Sequence, residues 1–205
     1  TPVPKPVAAT PEEAAYVAVL DAAIEPVRRI DVAASDATRL REAVAAVAAR
    51  NLSKAAESQA QIADPLARKI VDWYRLRSGH SDIDGYRAFL AANAAWPDRG
   101  LITQRLEEAL FTRGGSSAAM RSHFDRGEPR TGPGIAALAS ALLSEGKTSE
   151  AKALAAKAWR ETMIPASHEK VFLDRFGAHL TEADHKWRLD KLLMEEIRWT
   201  GARNE

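Results

Sequence analysis

The stretch IAALASALLSEGKTSEAKALAAKAW, residues 135–159, carries two helical patterns separated by a short polar break. In each half, apolar residues recur at the spacing that places them on one face of an α-helix. They are Ile135, Leu138, Leu142 and Leu143 before the break, and Ala151, Leu154, Ala155, Ala158 and Trp159 after it. The stretch therefore predicts two amphipathic helices joined as a hairpin.

The break contains Gly146-Lys147-Thr148, three letters that also occur in the phosphate loop of nucleotide-binding proteins. A complete phosphate loop follows a strand and has its first glycine five residues before the second, where this chain has Ala141. Because a helical pattern precedes the break, nucleotide binding is not expected. Gly146 is predicted to be the left-handed residue after a helix end, and Thr148 to cap the next helix.

Composition limits the class of protein. The chain has 205 residues, of which 46% are hydrophobic and 28% charged, which is typical of a folded domain. A formal net charge of +1 gives no electrostatic reason to expect nucleic acid as a partner. There is no cysteine, so disulfides and thiolate metal sites are excluded, and either redox compartment remains open. No apolar run approaches the roughly 20 residues that a membrane span needs.

The rest of the chain predicts one helix after another. Residues 1–10, TPVPKPVAAT, are predicted to be a flexible proline-rich segment, and residues 11–205 to form a single α-helical domain. Thr10 with Glu13, and Thr181 with Asp184, have the spacing of capping boxes. Further helices are predicted from about Ser35 to Ala49, from Ser53 to Ile62, after Asp64, after an Asp98 cap, and from Ser116 to Arg126. GEPRTGPG, residues 127–134, is predicted to be a loop.

Apolar stripes predict which helix faces are buried. In order along the chain, the predicted stripes comprise Tyr16, Val19, Leu20, Ile24; Leu66, Ile70, Trp73, Tyr74; Tyr86, Phe89, Leu90; Ile102, Leu106, Leu110; Val171, Phe172, Phe176; and Leu189, Leu192, Leu193, Ile197. Helices that start near Asp64, Asp98, Gly132 and His168 recur at intervals of roughly 30–36 residues, the length of a tetratricopeptide unit. The predicted fold is therefore all-α, with antiparallel helix pairs stacked as a tetratricopeptide-like superhelix.

The residues that most often carry chemistry form no recognisable catalytic, cofactor or metal site. No two of the histidines (His80, His123, His168, His179 and His185) have the i, i+4 spacing of metal ligands on a helix. Adjacent side chains on a helix point about 100° apart around its axis, so the carboxylates of Glu107-Glu108 and of Glu195-Glu196 do not converge on one bond. Both pairs are interpreted as solvated charges. The five tryptophans (Trp73, Trp96, Trp159, Trp187 and Trp199) are interpreted mainly as core residues.

Three longer strings resemble the helical superhelix of bacterial soluble lytic murein transglycosylases. They are FLAANAAWPDRGLITQRLEEAL at 89–110, GEPRTGPGIAALASALLSEGKTSEAKALAAKAWR at 127–160, and VFLDRFGAHLTEADHKWRLDKLL at 171–193. The third is similar to a sequence pattern of the family. That pattern has, in order along the chain, a Phe-Leu pair, an aromatic residue followed by glycine, a Leu-Thr pair, an Asp-His pair, an arginine and two leucines. The resemblance extends roughly from Asp64 to Trp199, about two thirds of the chain.

The resemblance implies a periplasmic protein that cleaves peptidoglycan between N-acetylmuramic acid and N-acetylglucosamine, leaving a 1,6-anhydro product. In that family a glutamate in a separate C-terminal lysozyme-like domain carries the reaction, with a Glu-Ser motif and a Gly-Leu-Met-Gln stretch. The Gly-Leu-Met-Gln stretch does not occur here, and no catalytic residue of the family is carried over to this chain. The chain is thus expected to be the non-catalytic superhelical portion, whose partners are glycan strands and the catalytic domain of the same polypeptide. The alternative is a repeat module that binds another protein and has no role with glycans.

Overall fold

The computed structural model describes residues 10–28, 32–125 and 127–201, with the side chains of 24, 26–28 and 195–201 left out. Within these ranges the chain is all-α, as predicted, and contains no strand. Residues 1–9 of the predicted flexible segment lie outside the described residues. The same holds for five side chains named above: Ile24, Glu195, Glu196, Ile197 and Trp199.

Eleven α-helices and one 3-10 turn make up the described chain. The helices are α1 (Pro11–Arg28), α2 (Ala34–Ala48), α3 (Leu52–Ala60), α4 (Pro65–Arg77), α5 (Ile83–Ala92), α6 (Arg99–Arg113), α7 (Ser117–Phe124), α8 (Gly132–Ser144), α9 (Thr148–Glu161), α10 (Ala166–Phe176) and α11 (Glu182–Gly201); the 3-10 turn is Gly177–His179. Helices α4, α6, α8 and α10 start at Pro65, Arg99, Gly132 and Ala166, so successive starts are 34, 33 and 34 residues apart. The predicted period is therefore present in the helix starts.

The chain divides into two compact units, Thr1–Tyr74 and Arg75–Glu205. In the first unit, α2 packs against α3, and a small apolar cluster forms around Ala43, Ile62 and Val71. The buried carboxylate of Asp36 accepts hydrogen bonds from the backbone N–H groups of Ala63 (3.1 Å) and Asp64 (2.8 Å). Because these N–H groups lie just before α4, Asp36 ties the start of α2 to the turn that leads into α4.

Helix α8 is the centre of the second unit and packs against α6, α7, α9 and α10. It is surrounded on several sides because most of its residues are small, which lets neighbouring helices approach closely. Its buried residues are Gly132, Pro133, Gly134, Ile135, Ala136, Ala137, Ala139, Ser140, Ala141 and Leu142. The hairpin predicted for residues 135–159 is confirmed as α8 and α9.

Aromatic rings fill the space between α6, α9 and α10. Trp159 stacks on Phe172 with ring centroids 5.1 Å apart, and Phe172 also contacts Phe111 (6.1 Å) and Phe176 (5.1 Å). The guanidinium of Arg188 from α11 lies 4.1 Å from the Trp159 ring centroid, a cation–π arrangement. The predicted burial of Trp159 is confirmed, since it is only 5% exposed.

Some predicted helix ends are confirmed and others are wrong. Both capping boxes form, since Thr10 and Glu13 exchange bonds of 3.2 Å and the Thr181 N–H donates to Asp184 at 2.8 Å. Gly146 has the predicted left-handed backbone, with φ of 79°. The Thr148 cap is wrong, because Lys147 occupies the cap position and the Thr148 hydroxyl instead points to the Gly146 carbonyl, 3.5 Å away.

Asp98 is another cap that differs from the prediction. It precedes α6 as expected, but its backbone is left-handed (φ 57°) and its side chain makes no capping bond. Its carboxylate pairs with Arg77 instead, with Oδ2 at 2.9 Å from Nε. The ion pair therefore joins the turn before α6 to the end of α4.

The predicted loop at residues 127–134 is wrong in its last part. Gly132, Pro133 and Gly134 form the first turn of α8, and Thr131 caps it by accepting from the Gly134 N–H at 3.0 Å. Proline suits the first turn because its missing N–H would have no helical partner there.

Several predicted apolar stripes are not the buried faces. In α4 the core residues are Ala67, Val71 and Leu76, whereas Leu66 is exposed; Ile70, Trp73 and Tyr74 are only partly buried. In α11 the buried residues are Asp184 and Arg188, while Leu189, Leu192 and Leu193 are exposed. In α1, Tyr16, Val19 and Leu20 are exposed as well. In α5, α6 and α10 the predicted stripes are the buried faces, since Tyr86, Phe89, Ile102, Leu106, Leu110, Phe172 and Phe176 are buried. The stripes therefore predicted the buried face correctly for these helices and wrongly for α1, α4 and α11.

Replacing Trp159 by alanine is expected to lower the free energy of unfolding by about 3–5 kcal/mol, because a large buried ring is removed. Trp187→Ala is the matched control, since Trp187 is 59% exposed and its loss should change stability by about 0.5 kcal/mol or less. Urea denaturation followed by circular dichroism measures both. Equal stability of the two variants would contradict the central role of Trp159.

Candidate functional site

Glu107 and Glu108 were interpreted from the sequence as solvated charges, and this is wrong. Glu107 is 1% exposed and Glu108 is 8% exposed. The Glu107 carboxylate accepts from the Arg130 N–H at 3.0 Å and from the Thr131 hydroxyl at 2.5 Å. Glu108 pairs with Arg105, whose Nη1 lies 2.8 Å from Oε2. The two carboxylates therefore bind different partners and do not act as a pair.

The position of Glu107 depends on the two glycines at the start of α8. A Cβ atom placed on Gly134 would lie 2.6 Å from Glu107 Cδ, and one on Gly132 would lie 2.7 Å from the Met163 carbonyl oxygen. Both distances are shorter than any van der Waals contact. The first turn of α8 is thus held between a side chain of α6 and the segment that follows α9.

A cleft opens beside this junction, between α5, α6 and α7. Its smaller part, of about 220 Å³, is bordered by Glu107, Arg130 and Thr103. Its larger part, of about 610 Å³, lies towards α5. Arg99 and His123 line both parts, so the two lie next to each other.

Local interactions hold the charged residues of the cleft in place. Arg99 Nη1 donates to the carbonyls of Leu90 (2.8 Å) and Asn93 (2.7 Å), and so satisfies acceptors at the end of α5. Arg87 Nη2 donates to the Ala119 carbonyl on α7 at 3.0 Å. The two arginines therefore connect the cleft walls and carry their positive charge into the cleft.

The imidazole of His123 has a pKa below its ordinary value of 6.5. Burial is the main cause, since it penalises the charged ring, and the nearby positive charge of Arg87 lowers the pKa further. The carboxylate of Glu107 acts in the opposite direction. His123 is therefore neutral at pH 7, with one ring nitrogen able to donate and the other able to accept.

The remaining histidines and tryptophans lie apart from this cleft. His185 packs edge-on against Trp159 with centroids 5.7 Å apart, and the buried His168 Nδ1 has no hydrogen-bond partner within the described ranges. His80 and His179 are partly exposed in turns. Trp96 packs edge-on against Phe89 (6.0 Å), and the exposed Trp187 departs from the predicted core role.

Residues that carried the family resemblance hold helix ends together. Asp184 caps α11, and hydrogen bonds from the Thr181 backbone and hydroxyl lower its pKa. Arg188, which is 5% exposed, donates to the carbonyls of Trp159 and Ile164 and to the carboxylate of Glu169. These contacts bind α11 to the end of α9 and the start of α10.

A Glu-Ser pair, the dipeptide associated with catalysis in the resembling family, occurs at Glu57-Ser58 on α3. Ser58 is buried within the first unit and Glu57 is exposed, so the two side chains point in different directions. In the described part of the chain, no group of three or more histidines and carboxylates is placed to hold a metal ion. None of the described helices is long and apolar enough to span a bilayer.

Sequence reasoning did not identify this cleft. Arg87, Arg99 and His123 come from three helices and have no shared spacing along the chain, so no motif indicated them. No protein-family model, curated protein or solved structure matches this chain.

Gly134→Ala is expected to lower the free energy of unfolding by about 1–3 kcal/mol, because the new methyl group would displace the Glu107 carboxylate from its hydrogen bonds. Gly100→Ala is the control, since a Cβ at that helical position meets nothing within 4 Å. It should be neutral or stabilising by up to about 1 kcal/mol, as alanine is the better helix former. Thermal and urea unfolding of both variants test this contrast. A Gly134→Ala variant whose free energy of unfolding equals that of the parent would contradict it.

The lowered pKa of His123 predicts acid sensitivity. In the unfolded chain the imidazole takes up a proton near pH 6.5, while the folded protein resists protonation, so stability should fall as the pH drops from 7 to 5. His123→Gln cannot titrate and should lose less stability over that interval. Ser122→Ala, a neighbouring change that removes no titratable group, should keep the parent's acid dependence. Urea unfolding at each pH measures the effect, and identical pH profiles for parent and His123→Gln would contradict it.

Proposed function

We propose that this chain is the non-catalytic superhelical scaffold of a periplasmic lytic transglycosylase, which positions a glycan strand and the catalytic domain of the same polypeptide. The observation that carries the proposal is the role of the resembling residues. Asp184, His185 and Arg188 all act at the junction of α9, α10 and α11, around Trp159. A non-catalytic scaffold is expected to share with its family the residues that hold its helices together, and these three residues do so.

The other two resembling strings have related roles. Trp96 and Arg99 pack against or hydrogen-bond to the end of α5, and Gly132 and Gly134 allow the close contacts at the start of α8. Each string therefore lies at a connection between successive helices. This agreement between pattern and packing supports the family resemblance.

The scaffold is proposed to be a tetratricopeptide-like superhelix. Two observations support this architecture: the spacing of 33 or 34 residues between the starts of α4, α6, α8 and α10, and the contacts in the second unit. There, α6 contacts α8, α8 contacts α9 and α10, and α9 contacts α11. Stacked repeats contact their sequence neighbours in this way.

A repeat module that binds another protein is the second candidate, because helical repeats present extended surfaces to protein partners as readily as to polymers. Its support is the exposed apolar face of α11, which includes Leu189, Leu192 and Leu193. Large exposed apolar patches often mark protein interaction sites. The presence of glycan binding distinguishes the two candidates.

Purified chain incubated with peptidoglycan sacculi is expected to sediment with them but to release no 1,6-anhydro-muropeptides. Mass spectrometry of the soluble fraction detects any release, with lysozyme-digested sacculi as the control for substrate quality. Release above that of heat-treated chain would show that the chain is itself catalytic. Failure to sediment with sacculi would favour the protein-binding module.

A further inference from the structure

The larger part of the cleft between α5, α6 and α7 has the size of a small-molecule site. Its volume of about 610 Å³ falls within the range of roughly 300–1,000 Å³ typical of ligand pockets. The scaffold role proposed above makes no use of this cleft, so its chemistry is an independent question. Seven residues line it: Arg87, Leu90, Ala91, Arg99, Leu106, Ser122 and His123.

The charge of these lining residues is positive. Arg87 and Arg99 contribute two guanidinium groups, and no carboxylate is among the residues that line this part. The bonds of both arginines go to backbone carbonyls, which are neutral, so these bonds do not cancel the positive charge. The carboxylates of Glu107 and Glu128 line the neighbouring smaller part, which Arg99 also borders, and are not among the residues that line the larger part. Asp84 approaches Arg87 only to 3.8 Å and its side chain is 93% exposed, so solvent weakens that attraction. The larger part of the cleft, which both arginines line, therefore favours an anion.

The guanidinium of Arg99 is fixed before any ligand arrives. Its bonds to the carbonyls of Leu90 and Asn93 use Nη1 alone, and the described residues provide no other partner for Nε and Nη2. Two parallel N–H groups on a held guanidinium match the two oxygens of a carboxylate. Preorganisation of this kind reduces the entropy lost on binding.

The other lining residues indicate what adjoins the anionic group. Leu90, Ala91 and Leu106 give the cleft an apolar wall that suits a small aliphatic side chain. The Ser122 hydroxyl donates to the Ala119 carbonyl at 3.0 Å, so its oxygen can still accept from an N–H group. A carboxylate, a small aliphatic group and an amide N–H occur together at the C-terminal residue of a peptide.

We propose that this cleft binds the C-terminal residue of a short peptide that ends in a small aliphatic amino acid, with its free carboxylate on Arg87 and Arg99. The aliphatic side chain lies against Leu90, Ala91 and Leu106. Phosphate also pairs with arginine, but it has no group to occupy the apolar wall. The proposal therefore requires binding to depend on both the carboxylate and the aliphatic side chain.

Isothermal titration calorimetry with N-acetyl-alanyl-alanine tests the inference, alongside the same dipeptide with an amidated C-terminus and inorganic phosphate. The free acid is expected to bind at least about tenfold more tightly than either comparison ligand, since amidation removes the charge that the guanidiniums recognise. Binding of the amide with equal affinity, binding of phosphate as tight as that of the peptide, or no binding of the free acid would overturn the proposal.

Three variants locate the binding. Arg87→Gln is expected to weaken binding of the free acid at least about tenfold, whereas Arg121→Gln, which removes an arginine of α7 that pairs with Glu145 outside the cleft, should leave affinity within about twofold. Ala91→Leu fills the cleft from an exposed position, so it should abolish binding without changing the melting temperature even if Arg87→Gln fails to fold. Undiminished binding by folded Ala91→Leu would place the ligand elsewhere and overturn the assignment.

Discussion

The second unit depends on a close approach of backbone and side chains at the first turn of α8. Gly132 meets the segment after α9, and Gly134 meets the buried carboxylate of Glu107 from α6. Neither contact leaves room for a Cβ atom. Removing one partner from such a contact is costly, because a buried carboxylate that loses its donors keeps the full penalty of its desolvation. The neighbouring helices can pack closely around α8 only because Gly132 and Gly134 have no Cβ atoms.

The sequence predicted the helices well, because each one is marked by local signals. Capping boxes at Thr10 and Thr181 and the glycine at 146 are properties of a few adjacent residues, and all three form as expected. The same local rules failed for the Gly-Pro-Gly segment. Glycine and proline usually indicate a loop, but here they open α8, since the need for close packing outweighs their low helix propensity.

The burial of particular polar residues, the exposure of some apolar stripes and the cleft could not be predicted from sequence patterns, because all three depend on which helices meet. Glu107 has the periodicity of a surface residue, yet it is 1% exposed because Thr131 and Arg130 from a distant segment surround it. Conversely, the leucine stripe of α11 is exposed while the polar Arg188 is buried on Trp159. A hydrophobic stripe indicates that a helix has a face to cover, and tertiary contacts decide which face is covered.

Arg99 links the packing of the repeats to the chemistry of the cleft. One nitrogen of its guanidinium satisfies carbonyls at the end of α5, and this bond fixes where the remaining N–H groups point. The turn before it is held in turn by Asp98, which pairs with Arg77 of α4 instead of capping α6. An arginine that served packing alone would lose nothing if its outer N–H groups faced bulk water. Because Arg99 lines the cleft together with Leu90, Leu106 and His123, the contacts that order successive helices also set the geometry of a charged, partly apolar cleft. Binding there would be sensitive to any shift between α5 and α6, so a ligand in the cleft would stabilise the junction of these two helices.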